Sequence, residues 1–275
     1  MSSNEIETIE LRLVLEAIHA KYGYDFREYQ SATIRRRLQA ALARSGASHF
    51  GELQHRLLHE PEFFHSIIDE LTVQVSEMFR DPSFYRAFRE QVIPLLRTYP
   101  QLKIWHAGCA SGEEVYTTAI LLAEENLYDR TQIYATDVSA TALEHAREGM
   151  YPDSQIESFS DNYEKSGGKR SFAEYYSAAY GRMALRAGLR RNMVFFQHDL
   201  VSDYALGEMH VIFCRNVLIY FGPALRERVL AMFGKGLCRG GFLCLGGSES
   251  LPAKSQAMFS EFLAPERIYR CQGAS

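Results

Sequence analysis

The stretch Ile104-Trp105-His106-Ala107-Gly108-Cys109-Ala110-Ser111-Gly112-Glu113-Glu114 decides the fold class. An apolar run passes into a turn with glycines four residues apart, and the turn opens a helix. Small residues there let the backbone approach a ligand lying over the carboxyl ends of the strands. Alone, the pattern also fits an ordinary strand-turn-helix. Its setting adds the information. From Leu102 onward, strands are expected over 103–107, 132–137, 193–199, 210–214, 241–245 and 267–271. Helical stretches such as 113–125, 141–148 and 224–237 lie between them. Such alternation predicts a mostly parallel sheet covered on both faces.

Upstream of Tyr99 the pattern is helical throughout. Ile9, Leu13, Ile18 and Tyr22 recur at helical spacing, as do Ile34, Leu38 and Leu42, with Gly46 as a stop. Asp81-Pro82 reads as a cap with proline in the first turn. The segment 151–191, rich in Ser, Gly and Tyr, interrupts the strand-helix alternation. A structureless loop of ~40 residues is out of place in a compact domain. An inserted subdomain with short strands is expected instead, giving a helical domain over 1–95 and an α/β domain over 96–275.

The chain of 275 residues is 47% hydrophobic and 23% charged, the balance of a globular protein. A net charge of -4 gives no general attraction to nucleic acid or anionic membrane. The five cysteines show no C-x-x-C pair and are read as buried free thiols in a reducing cytoplasm, not as metal ligands. The opening MSSNEIETIE is polar and acidic, and no apolar run approaches the ~18 residues of a membrane span. A cytoplasmic protein without metal, nucleic-acid partner or direct membrane insertion is expected.

A dinucleotide site would want G-x-G-x-x-G facing a pyrophosphate. Here the turn is followed at once by Glu113 and Glu114, which repel pyrophosphate and suit a cation. S-adenosylmethionine, with its sulfonium and ammonium, is such a ligand. Asp137 ends the second strand, where an acid either bonds ribose hydroxyls or merely caps the next helix. Asp199 ends the third, placed with its neighbours to flank an adenine. The fourth runs into Arg215-Asn216 and on to Tyr220, more polarity than a strand needs.

At these residues the sequence resembles the CheR family of chemotaxis receptor methyltransferases over nearly its whole length. The anchors are Tyr29-x-x-x-Thr33-Ile34-x-Arg36-Arg37, Phe79-Arg80-Asp81, the 107–114 turn, Ala135-Thr136-Asp137-Val138-Ser139, the run from Phe213 to Phe221, and Gly246-Gly247-Ser248-Glu249-Ser250. Each is weak alone; six in order are specific. The resemblance implies a class I S-adenosylmethionine-dependent methyltransferase domain (Rossmann-like, mostly parallel sheet), a helical N-terminal domain and a small inserted β-subdomain. It also implies that Gln74, Ser76, Arg80, Gly108, Glu113, Asp137, Asp199, Leu200, Arg215 and Asn216 contact the cofactor or its product, S-adenosylhomocysteine. Arg80 and Tyr220 match the pair near the transferred methyl. The departures are Gln74 and Ser76, where the family usually has Asn and Thr, and Val115, where it commonly has proline.

The implied reaction is esterification of receptor glutamates by in-line displacement. A glutamate with pKa ~4.3 is already ionised, so no general base is needed. Receptor methylation helices are acidic, and the resemblance assigns Arg35, Arg36 and Arg37 to their recognition, although a triple arginine also fits a solvated face. A receptor C-terminal peptide on the inserted subdomain is a further expected partner. The competing readings are a non-catalytic module that senses the cofactor and docks on receptors, and a methyltransferase with another acceptor.

Overall fold

In the computed structural model, which describes residues 3–60, 63, 64, 67, 71 and 76–273, strand β1 (Leu102–Ala107) sits in mid-sheet. Its side chains alternate between two cores. Ile104 joins one, and Trp105 and Ala107 join the other. That is why the strand reads as mainly apolar: both faces are covered. The same holds for β2 (Thr131–Asp137) and β7 (Met209–Cys214). With β6 (Met193–Gln197) and β8 (Leu237–Leu245) they form five parallel strands, so Ala107, Asp137, Gln197, Cys214 and Leu245 end on one edge.

Strands β9 (Phe259–Leu263) and β10 (Ile268–Cys271) add an antiparallel extension, giving the order β6-β2-β1-β7-β8-β10-β9. No strand was expected at β9. Its Ser260 and Glu261 are exposed on the sheet margin, so it lacks the apolar signature. This is the mostly parallel sheet that the resemblance implies.

On one face pack helices α4 (Pro82–Ala87) and α5 (Glu113–Glu124), through Phe84, Val115 and Ile120. The α4 segment continues through a π turn, Phe88–Val92, into Ile93–Leu96. Helix α6 (Ala140–Glu148) follows β2, and Leu143 reaches the same core. The other face is covered by α8 (Pro223–Gly236), through Leu225, Val229 and Phe233. The cysteines are free; Cys109, Cys214, Cys244 and Cys271 are buried.

Helices α1 (Ser3–Tyr22), α2 (Ser31–Ser45) and α3 (Phe50–His59) enclose a separate core of Val14, Ile18, Ile34, Leu38, Leu53 and Leu57. The expected stripe on α1 is corrected here. Ile9 and Leu13 are 39% and 41% exposed, while Val14 and Ala17 are buried beside Ile18. The helix therefore turns its inner face about one residue from the spacing first read. Among the described residues no helix is long and apolar enough to cross a membrane.

The interruption of the alternation is a three-stranded antiparallel sheet, β3 (Met150–Pro152), β5 (Arg182–Leu185) and β4 (Tyr176–Ala179), with helix α7 (Ile156–Lys165). It is the small inserted β-subdomain. A buried carboxylate ties it down. Glu124, at the end of α5, accepts hydrogen bonds from Arg89 at 2.8 Å, the Tyr175 hydroxyl at 2.8 Å, the Tyr163 hydroxyl and the Lys169 amide. Arg89 keeps a second carboxylate, Glu125 at 2.7 Å, so Glu124→Ala would chiefly leave two buried phenols unpaired, and a loss of about 2–4 kcal/mol is expected. Chemical denaturation checks it; wild-type stability in the variant would show that the carboxylate does not anchor the insertion.

Candidate active site

The parallel strands end beneath a cleft, and the residues of the glycine turn form its floor. Gly108 has φ +83°, and a Cβ there would lie 2.5 Å from Val217 Cγ2, so only glycine fits. The Gly108 and Cys109 amides both donate to the Thr136 carbonyl, at 2.8 and 2.9 Å. Asp137 then holds the turn from the next strand. One carboxylate oxygen accepts from the Ala110 amide and the other from the Ser139 amide, both at 2.9 Å. Ser139 itself caps α6, accepting from Ala142 at 3.1 Å. Asp137 thus braces two loops while facing the cleft.

The far wall is the loop after β7. Asn216 is left-handed, at φ 62°, and a Cβ on Gly246 would lie 2.7 Å from its side chain. Buried Glu249 fixes this loop. Its oxygens accept from the amides of Asn216 at 2.9 Å, Ile219 at 3.1 Å and Gly246 at 2.6 Å. Tyr220, four residues after Asn216, is half-buried and faces the cleft. Asp199 and Leu200 close the end near β6. Burial raises the Asp199 carboxyl above its usual range, against bonds from the Val201 and Asp25 amides.

The helical domain completes the enclosure. Tyr29 pairs with Phe221 as a β-bridge, the Gln30 amide donates to the Tyr220 carbonyl at 2.9 Å, and Gly222 donates to Glu28 at 2.8 Å. Arg37 lays its guanidinium 5.3 Å from the centre of the Tyr220 ring. Ser76 and Arg80 line the same side.

The three consecutive arginines separate. Arg37 reaches the cleft and Arg36 is exposed, but Arg35 turns to α1, bonding Glu7 at 3.3 Å and Thr8 at 2.9 Å. Arg35 braces two helices, so one continuous three-arginine face does not form. Gln74 lies outside the described residues.

The two glutamates also separate, in place of the shared cation site expected of them. Glu114 lines the cleft, yet it is paired: Arg215 Nη1 lies 3.1 Å away and His106 Nδ1 3.0 Å away. Glu113 turns inward, only 4% exposed, and accepts from the Ser111 hydroxyl and from Ser76. Burial raises its carboxyl above the usual range. Asp81, read as a helix cap, makes no side-chain cap bond; its carboxylate goes to Arg215 Nη2 at 2.7 Å.

This geometry can be set beside known proteins. The model of the CheR methyltransferase SAM-binding domain matches residues 74–268, and that of the CheR all-alpha domain matches residues 9–72. The chain belongs to the CheR methyltransferase family. Cher3 of Pseudomonas putida is 46% identical over 271 residues, covering 98% of this chain and 99% of its own. Proteins named chemotaxis protein methyltransferase are 33% identical in Vibrio parahaemolyticus, over 74% of each chain, and 31% identical in Listeria innocua, over 83% of this chain and 85% of that one. Among solved structures, an O-methyltransferase domain named StiE O-MT has a TM-score of 0.36 and 14% identity over 69% of this chain and 48% of its own.

In this CheR-family cleft, Glu249 and Tyr29 were not singled out from sequence as individual site residues. Glu249 sat in a recognised turn, but its task depends on amides from a distant loop. For Glu114, burial raises the carboxyl, and the bonds from His106 and Arg215 outweigh it, leaving the group below the ordinary value of 4.5. Its stabilising share is therefore complete above that value and lost as pH falls through the depressed one. Glu114→Gln should lower the melting temperature near neutrality and shrink the further loss on acidification. Thermal melts from about pH 7 to about pH 3 read both effects; equal acid sensitivity in the two proteins would contradict the pairing.

Proposed function

We propose that this protein transfers a methyl group from S-adenosylmethionine to glutamate side chains on the cytoplasmic methylation helices of chemotaxis receptors, forming glutamyl methyl esters. The observation that carries the reading is that Arg80 and Tyr220 both line a cleft floored by the Gly108 turn and Asp137. The residues fit the cofactor. A glycine cradle that any Cβ would fill lies beside an acid at the end of β2, the place where ribose hydroxyls are bonded in such sheets. When bound, S-adenosylmethionine would supply an electrophilic methyl: an ionised carboxylate oxygen bonds to its carbon in line as the carbon–sulfur bond breaks, and S-adenosylhomocysteine leaves.

The protein's own part is to hold and to align. Asp137 accepts from the ribose, and Asp199 and Leu200 flank the adenine. Ser76 and Asn216 contact the cofactor from opposite walls, and Gln74 belongs to the same set by its position in the family motif. Arg215 lies beside them, engaged with protein carboxylates. Glu113 acts from behind the wall by fixing Ser76.

Arg80 orients the incoming carboxylate, and the Tyr220 hydroxyl places the methyl. The incoming glutamate needs no base, so alignment and exclusion of water supply the rate, worth up to about 7–11 kcal/mol in favourable cases. Arg36 and Arg37 give the lip of the cleft a positive charge that suits an acidic receptor helix. On the inserted subdomain, β4 pairs only with β5 among the described residues, leaving an edge on which a receptor C-terminal peptide can add as a strand. A cytoplasmic enzyme recruited to membrane receptors accommodates all of these contacts.

Calorimetry with S-adenosylhomocysteine should give micromolar binding that Asp137→Ala abolishes in folded protein. Absence of binding by the wild type would remove the methyltransferase reading and favour a docking module. With receptor fragments and radiolabelled donor, the label should be released by alkali, as an ester requires. Arg80→Ala and Tyr220→Phe should each reduce turnover, by on the order of 10²-fold for Arg80→Ala, with product affinity retained. Wild-type turnover in both variants would sink their assignment.

A further inference from the structure

Arg80 stands between two strained residues. Phe79 and Asp81 are left-handed at φ 53° and 57°, a conformation that non-glycine residues keep only when their surroundings enforce it. On one side the Phe79 amide donates to Thr117 Oγ1 at 2.9 Å, and its buried ring meets Tyr85, Tyr163 and Phe172 edge-on. On the other side the Asp81 carbonyl accepts from the Phe84 amide at 2.9 Å, and its carboxylate is held by a guanidinium.

Arg215 Nη2 donates to Asp81 at 2.7 Å, while Nη1 lies 3.5 Å from the Arg80 carbonyl, 3.3 Å from the Tyr85 hydroxyl and 3.1 Å from Glu114. Its plane lies 4.1 Å from the centre of the Phe84 ring, at the start of α4. Glu114 is fixed in turn by His106, whose ring stacks on Phe213 at 4.6 Å. Both ends of the guanidinium are thus spent on protein carboxylates. Asp81 forgoes the cap of α4 to serve one of them.

We infer that the Glu114–Arg215–Asp81 chain is a positioning device that sets Arg80 for methyl transfer by clamping the strained segment around it. The inference rests on the catalytic reading of Arg80 proposed above. A fork is required because one cation must grip a helix start, a carboxylate and a backbone carbonyl together, which an ammonium does not do.

The test is a double-mutant cycle on the full chain with S-adenosylmethionine and receptor fragments. Asp81→Asn should lower kcat by about tenfold to a hundredfold, with S-adenosylhomocysteine affinity changed by less than about threefold. In an Arg80→Ala background the same substitution should cost almost nothing more, because its effect passes through Arg80. Wild-type turnover in Asp81→Asn, or an undiminished loss in the Arg80→Ala background, would overturn the inference. If the wild type binds S-adenosylhomocysteine but methylates no receptor fragment, the proposed function fails, and the clamp is then read from amide hydrogen exchange over residues 79–81. Faster exchange in Asp81→Asn supports the clamp; unchanged exchange overturns it.

Discussion

A guanidinium taken out of water needs compensation, and Arg215 obtains it at both Nη atoms, from Glu114 and Asp81. That requirement organises the cleft. Arg215 follows β7, Glu114 opens α5, and Asp81 precedes α4, so the ion-pair chain fixes three segments that the sheet alone leaves independent. Once they are fixed, the strain is affordable. Phe79, Asp81, Ala110 and Asn216 are all non-glycine residues at positive φ; Ala110 and Asn216 line the cleft, and Phe79 and Asp81 flank Arg80, which also lines it. Each such residue costs on the order of 1–3 kcal/mol and persists only where its surroundings over-determine it. Glu249 supplies the second clamp by gripping three amides around the Asn216 loop.

The sheet was legible because its central strands are buried on both faces, which forces predominantly apolar runs such as 104–107, where the one polar residue is buried His106, and 211–214. The glycine turn was legible because a positive φ and a close approach admit few alternatives. The margin strand β9 was hidden, since exposure removes the apolar pattern that announces a strand. The expectations about Glu113-Glu114 and Arg35-Arg36-Arg37 ran together residues that helix geometry separates. Neighbours on a helix point about 100° apart, so adjacent charges do not share one target. Periodicity alone would have divided both sets. Which member faces the cleft depends on tertiary partners, Arg215 and His106 for one set and Glu7 and Thr8 for the other.

The helical domain is more than an appendage to the sheet. Tyr29 and Arg37 are part of the cleft wall, and the chain between α1 and α2 is hydrogen-bonded to the loop that carries Tyr220. A movement of α2 large enough to matter would lift Arg37 from the Tyr220 ring and strain the bond from Gln30 to the Tyr220 carbonyl. The surface proposed to meet the receptor and the residue proposed to place the methyl therefore belong to one packed unit. Methyl transfer by alignment tolerates little slack, because an error near 1 Å can cost on the order of 10²-fold in rate. Building the recognition helix onto the Tyr220 loop shortens the chain of contacts through which such an error would accumulate. On this reading, the separate core of α1, α2 and α3 keeps the recognition surface rigid, and the Tyr29–Phe221 bridge sets its distance from the chemistry.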